Sequence, residues 1–127
     1  MYANVITGNN WAGTPDNGGV YGYLGASLEI RYATISSNTG DGVILRLRST
    51  ARMYGDTIND NSRNGILLDQ GGGVRLQTPL DPIPVPAAVT ATGNGSGLAL
   101  QCFFGEASFL GSFALGSQPV SASCTLF

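Results

Sequence analysis

Apolar residues recur along this chain at every second position in short runs, and the runs recur at a fixed interval. Val20, Gly22 and Leu24 form one run, Val43, Leu45 and Leu47 a second, and Ile66, Leu68 and Gln70 a third, with equal spacing between their starts. That spacing, from Val20 to Val43 and again to Ile66, is the basic repeat. Leu98, Leu100 and Cys102 follow after a longer step, and Val120, Ala122 and Cys124 after a step one short of the repeat. Spacing of i, i+2, i+4 predicts a strand with one buried face, because successive side chains of a strand point to opposite sides. Gly22 and Gln70 weaken their runs without changing the interval. A second column keeps the same repeat through Val5, Leu28, Ala51 and Val74, with Thr7, Ile30, Met53 and Leu76 two places on. A third holds Ile35 and Ile58 and continues to Val89 after an insertion. No window carries a sustained 3.6-residue period, so no helix is expected.

Three short strands per repeat, wound as a coil, describe a single-domain, all-β, right-handed parallel β-helix over residues 1–127, with about five to six coils. One unit cannot bury its inward side chains alone, whereas stacking the next unit pairs the backbones and sets like residues above like. Crossovers between parallel strands of one sheet set the expected hand. Gly42, Gly65 and Gly97 are placed at the turn before the first strand, where glycine takes a positive φ without cost. Asn38 and Asn61 precede their glycines by four residues and are suited to passing hydrogen bonds from coil to coil. The segments Asn38 to Leu45 and Asn61 to Leu68 share Asn-x-x-x-Gly-(Val/Ile)-x-Leu. That pattern resembles the repeats of pectate-lyase-like right-handed parallel β-helix proteins. The resemblance implies a fold more than an activity, since one fold carries many functions.

Two segments depart from the repeat. A Pro-rich insertion at 78–88 adds about nine residues to one coil and leaves the sheet, because proline cannot feed an interior ladder. Phe103, Phe104, Phe109, Leu110, Phe113 and Leu115 then crowd into thirteen positions, serving as core or as an apolar patch. Cys102 and Cys124 lie one coil apart and face inward. They form either a disulfide or a pair of stacked buried thiols, and parallel stacking favours the thiols because it seldom supplies a disulfide torsion unaided.

Composition narrows the function. The 127 residues carry six Arg, six Asp, two Glu and neither Lys nor His, for a net charge of −2. A nucleic-acid binder would show a basic stripe, and mechanisms that need an imidazole base are ruled out. No apolar run approaches the roughly 18 residues of a membrane span. Low charge with abundant Gly, Asn, Ser and Thr favours an extracellular or cell-surface location. The N-terminus reads as a mature chain or fragment without a signal peptide. Neither end carries a capping helix, so the expected partners are a second copy, giving a homo-oligomer, or neighbouring coils of a longer parent chain.

Outward positions supply the candidate chemistry. Tyr23, Arg46, Asp69 and Gln101 share one outward column, in which Arg46 pairs with Asp69. Glu29, Arg52 and Arg75 share another, in which Glu29 pairs with Arg52. Tyr23, Arg46, Arg48, Arg52, Asp69 and Arg75 together are the candidate carbohydrate-binding residues. Resemblance to the lyases implies calcium on clustered carboxylates and an arginine base, but Asp41, Asp56, Asp60 and Asp69 fall in different turns, and calcium needs several convergent oxygens. No catalytic residue, metal site or cofactor is therefore expected. Thr34 and Thr57, continued by Thr90, begin an outward threonine column suited to an ordered water lattice. The leading expectation is a non-catalytic structural or adhesive module that self-associates through its coil ends. The alternative is a carbohydrate-binding or lyase-type module acting on acidic polysaccharide.

Overall fold

A computed structural model describes residues 4–9, 17–76, 88–103 and 107–126. The Pro-rich insertion, apart from Ala88, lies outside the described residues, as does Phe104. Among these residues thirteen short strands follow in chain order. They are β1 (Val5–Thr7), β2 (Gly18–Gly22), β3 (Ser27–Arg31), β4 (Thr34–Ser36), β5 (Asp41–Arg46), β6 (Thr50–Tyr54) and β7 (Thr57–Asn59). Then come β8 (Ile66–Asp69), β9 (Gly73–Leu76), β10 (Thr90–Thr92), β11 (Leu100–Phe103), β12 (Ser108–Leu110) and β13 (Thr125–Leu126). They stack into three parallel sheets. The first face has the order β2-β5-β8-β11, the second β3-β6-β9-β12-β13 and the third β1-β4-β7-β10. The chain visits the faces in that order in each turn, so β2 to β4, β5 to β7 and β8 to β10 are complete coils.

The expected architecture of three strands per coil is present, but with about four coils rather than five to six. The third coil consumes the difference. Leu76 pairs with Met53 and Thr90 with Thr57, so the step from Leu76 to Thr90 rounds the same corner as the far shorter step from Met53 to Thr57. One further residue enters between Asn94 and Leu100. Ile66 consequently pairs with Leu100 and Leu68 with Cys102. The expected frame, which set Leu98 beside Ile66, was short by two. Ala99, not Gly97, follows Gly65, and Phe103, not Gln101, continues the column of Arg46 and Asp69. The same displacement puts Ala91, not Val89, above Ile58. Val5 also moves: it pairs with Thr34 on the third face and does not head the column of Leu28.

The corners explain why one apolar slot misled. Leu24, Leu47 and Gln70 have φ of 52°, 49° and 50°, and they turn the chain from the first face to the second instead of extending the strand. The next residue is also left-handed in each coil: Gly25, Arg48 and Gly71. The turn into the third face uses Tyr32 and Gly55, and the turn out of it uses Gly8, Ser37, Asp60 and Gly93. Each coil is thus bent by left-handed residues at its corners, a conformation that costs non-glycine residues about 1–2 kcal/mol.

Gly42 and Gly65 serve a different purpose from the expected one. They lie in extended backbone, outside the positive-φ glycines, whereas Gly97, displaced from their column, does take a positive φ. A Cβ on Gly42 would stand 2.5 Å from Ile58 Cγ2 and 2.6 Å from the Gly65 carbonyl oxygen. The column is glycine because the third face packs against it. That contact is part of one apolar core running along the coil axis, which includes Ile35, Val43, Leu45, Met53, Ile58, Ile66, Leu68 and Leu100.

Beside the glycine column runs an amide ladder. Asn38 Nδ2 donates to Asn61 Oδ1 at 2.9 Å, Asn61 Nδ2 to Asn94 Oδ1 at 3.0 Å, and Asn94 Nδ2 to Gln118 Oε1 at 2.9 Å. The same Nδ2 groups also donate to the carbonyls of Ile6, Ile35 and Ile58. Each acceptor oxygen of the ladder further takes a backbone N–H from the preceding rung. Sequence reasoning found Asn38 and Asn61 but missed Asn94 and Gln118, because the two-residue frame error moved the expected rung to Gly93.

Candidate functional site

The six candidate residues fall into three places. Tyr23, Arg46 and Asp69 belong to the first face, Arg48 to the corner, and Arg52 and Arg75 to the second face. Arg46 and Asp69 are in register, and Arg46 Nε lies 2.8 Å from Asp69 Oδ2. Their pairing agrees with expectation, but their surroundings do not. The Asp69 side chain is only 6% exposed, and the outward-facing Ile44 and Leu67 of the same face are buried. The middle of the first face is therefore not a free surface. Tyr23 stands at its margin, exposed and stacked on Tyr21 with ring centroids 5.8 Å apart.

The second face is open. Its strands alternate inward Leu28, Ala51, Val74 and Phe109 with outward residues, as the two-residue period requires. The outward positions are Ser27, Glu29 and Arg31 on β3, Thr50, Arg52 and Tyr54 on β6, Gly73 and Arg75 on β9, and Ser108 and Leu110 on β12. Glu29 pairs with Arg31 on its own strand, not with Arg52 across the coil. Arg31 in turn lies over the Tyr54 ring, 4.8 Å from its centroid. A two-residue step along a strand brings same-side groups together, so the nearer cation captured the carboxylate.

Arg52 and Arg75 stand in register on neighbouring strands, both exposed, and neither makes an ion pair among the described residues. Like charges directly opposite each other destabilise a sheet, so this arrangement favours an anion between them. The floor beside them is cut away. Gly73 carries no side chain, and a Cβ there would meet Ser108 Oγ at 2.8 Å. The result is a groove of about 580 Å³ crossing the strands, lined by Thr50, Arg52, Gly73, Arg75, Ser108 and Leu110 among others.

The acidic residues have structural work. Asp56 accepts N–H bonds from Ala33 at 2.8 Å and Tyr54 at 3.0 Å, tying two coils at the corner. Burial pushes its carboxyl up to about 6 against the lowering effect of those two bonds. Asp41 Oδ1 accepts from the backbone N–H and Nδ2 of Asn64, at 3.0 and 2.7 Å. Burial also raises its pKa, opposed by those bonds and by Arg63, whose Nη1 lies 3.8 Å from Oδ2. Among the described residues no three His, Cys, Asp or Glu side chains gather as a metal would require.

Cys102 and Cys124 are joined in a disulfide with Cα atoms 5.0 Å apart, which corrects the expectation of stacked thiols. The reason lies in the last turn. Val120 bridges to Leu100, and the chain then turns back through Ser121, where Cys124 N–H donates to the Ser121 carbonyl. That turn brings Cys124 beside Cys102 without the parallel stacking that would oppose the bond.

The sequence of residues 1–78 matches the family described as the right handed beta helix region, and the chain belongs to that family. The match also settles the hand of the coil. No curated protein and no solved structure matches the chain.

Proposed function

We propose that this β-helix is a non-catalytic adhesive module whose second face holds an acidic polysaccharide. The observation that carries the reading is the pair Arg52 and Arg75, side by side with no carboxylate partner among the described residues, at the edge of an open groove. Guanidinium groups bind carboxylates with paired, charge-assisted hydrogen bonds. The hydroxyls of Ser27, Thr50 and Ser108 offer neutral partners for sugar hydroxyls along the same groove. The carboxylates of Asp41, Asp56 and Asp69 are engaged in holding coils together, which supports binding over cleavage. The Cys102–Cys124 disulfide supports an extracellular or cell-surface setting, because such bonds persist in oxidising compartments.

The test is glycan binding by calorimetry with polyuronate oligomers and neutral oligomers of equal length. Arg52→Ala and Arg75→Ala are each expected to weaken polyuronate binding about tenfold, the scale of one lost charge-assisted contact. The affinity should fall further with added salt. Equal affinity for neutral oligomers, or full binding by the double variant, would remove the proposal.

A further inference from the structure

The third face carries a pattern that the Arg groove does not use. Ile6, Ile35, Ile58 and Ala91 point into the core from β1, β4, β7 and β10. Their flanking residues therefore face outward: Val5 and Thr7, Thr34 and Ser36, Thr57 and Asn59, Thr90 and Thr92. Seven of these eight side chains end in a hydroxyl or an amide. None is charged and none is aromatic, and all are exposed or half-buried.

We propose that this face binds ice. In-register parallel strands set the outward side chains on a grid, about 4.8 Å across strands and about 6.7 Å along them. Liquid water has no use for such a grid, whereas a crystal surface with oxygen rows of comparable spacing does. Threonine suits the task because its branched Cβ restricts χ1. Its hydroxyl is therefore held in direction at little entropic cost, and its methyl fills the gap between rows. The strands are also clamped from behind. The amides of Asn38, Asn61 and Asn94 donate to the carbonyls of Ile6, Ile35 and Ile58 on this same face, which fixes the strand spacing. A glycan surface is the competing solid, but sugar recognition favours aromatic rings and this face has none.

The area is small: three strand intervals span roughly 14 Å. The expected activity is inhibition of ice recrystallisation, with little freezing-point hysteresis. Splat-cooled films of the whole chain should show ice grains that stop coarsening on annealing. Thr57→Tyr, which raises a bulky side chain from the middle of the grid, should restore coarsening, and so should Thr90→Lys on the adjacent strand. Both positions are on the outer surface, and thermal melting confirms that the variants are folded. Leu24→Ala, at the exposed corner between the first and second faces, should keep the inhibition. Unimpeded coarsening with the unaltered chain would overturn the assignment, as would inhibition that survives both variants. Co-sedimentation with crystalline cellulose in the absence of any effect on ice would give the face to a glycan instead.

Discussion

Asp56 is the residue whose ionisation bears most directly on the fold. It sits in the corner column between Ala33 and Val89, where neighbouring coils offer small or apolar side chains. Its carboxyl has a pKa of about 6 in the fold against 3.8 as a free side chain, so the folded chain holds its proton more tightly than the unfolded one. The resulting stabilisation is complete below pH 3.8 and is lost as pH rises through about 6. A shift of that size corresponds to roughly 3 kcal/mol. Asp41, also raised by burial, adds a slope of the same sign. Urea unfolding between pH 3.5 and 7.5 should therefore show wild-type stability falling with pH. Asp56→Asn should flatten the part of the fall that Asp56 contributes, at a pH-independent cost of about 1 kcal/mol for one backbone N–H left without an acceptor. Parallel curves for the two proteins would show that the residue titrates normally.

At the scale of the element, the amide ladder decides register more firmly than any strand. Strands of two to six residues pair through a few bonds each, and a β-helix of similar apolar rows tolerates slippage unless something specific is misaligned by it. A buried asparagine has two donors and an acceptor with two lone pairs, and here each rung finds its partners one coil away. Asn61 is the middle rung. Asn61→Leu would leave the Asn38 backbone N–H and Nδ2 without their shared acceptor, and would take the Asn61 Nδ2 donor from both Asn94 Oδ1 and the Ile35 carbonyl. Several buried groups orphaned together should cost about 3–5 kcal/mol, readable as a lower denaturation midpoint with an unchanged slope. Asn61→Asp keeps the acceptor but turns a carboxylate oxygen toward the Ile35 carbonyl and Asn94 Oδ1, two acceptors, and should cost at least as much at neutral pH. A loss under about 1 kcal/mol for Asn61→Leu would show that water replaces the ladder. This element was half legible. Asn38 and Asn61 stand one full repeat apart, and Gly42 and Gly65 repeat with them, because undisturbed coils keep one length. Asn94 was hidden by insertion arithmetic: ten residues enter at one corner and one at the next, and apolar alternation alone accepts a frame two residues short. The glycines were found for the wrong reason, since a tight approach between faces leaves the same residue in the sequence as a left-handed turn does.

For the whole molecule, stacking makes stability a sum of coils and of the contacts between neighbours. The candidate site was legible only as a set of residue types. Column arithmetic put Arg52 beside Arg75 correctly, but could not tell an open face from a covered one, and so joined them to Arg46 and Asp69 on a face whose middle is buried. The disulfide tests the additive view. It closes a 22-residue separation over the last coil, and the loop it removes from the unfolded chain is worth roughly 3 kcal/mol by chain entropy. If the chain unfolded as one unit, reduction would lower protection everywhere by that amount. In a stack it should act locally. Ala114 and Gln118 donate back to Val89 and Ala91, so the last coil is held to the third by backbone bonds as well as by the sulfur bridge. Hydrogen exchange followed by mass spectrometry should accordingly quicken at 107–126 on reduction and partly at β11, which bears Cys102. Amides of β5, β6 and β8, which have a coil on either side, should exchange as slowly as before. Uniform quickening through those central strands would mean that the coils melt together, and that the disulfide secures the molecule rather than its last turn.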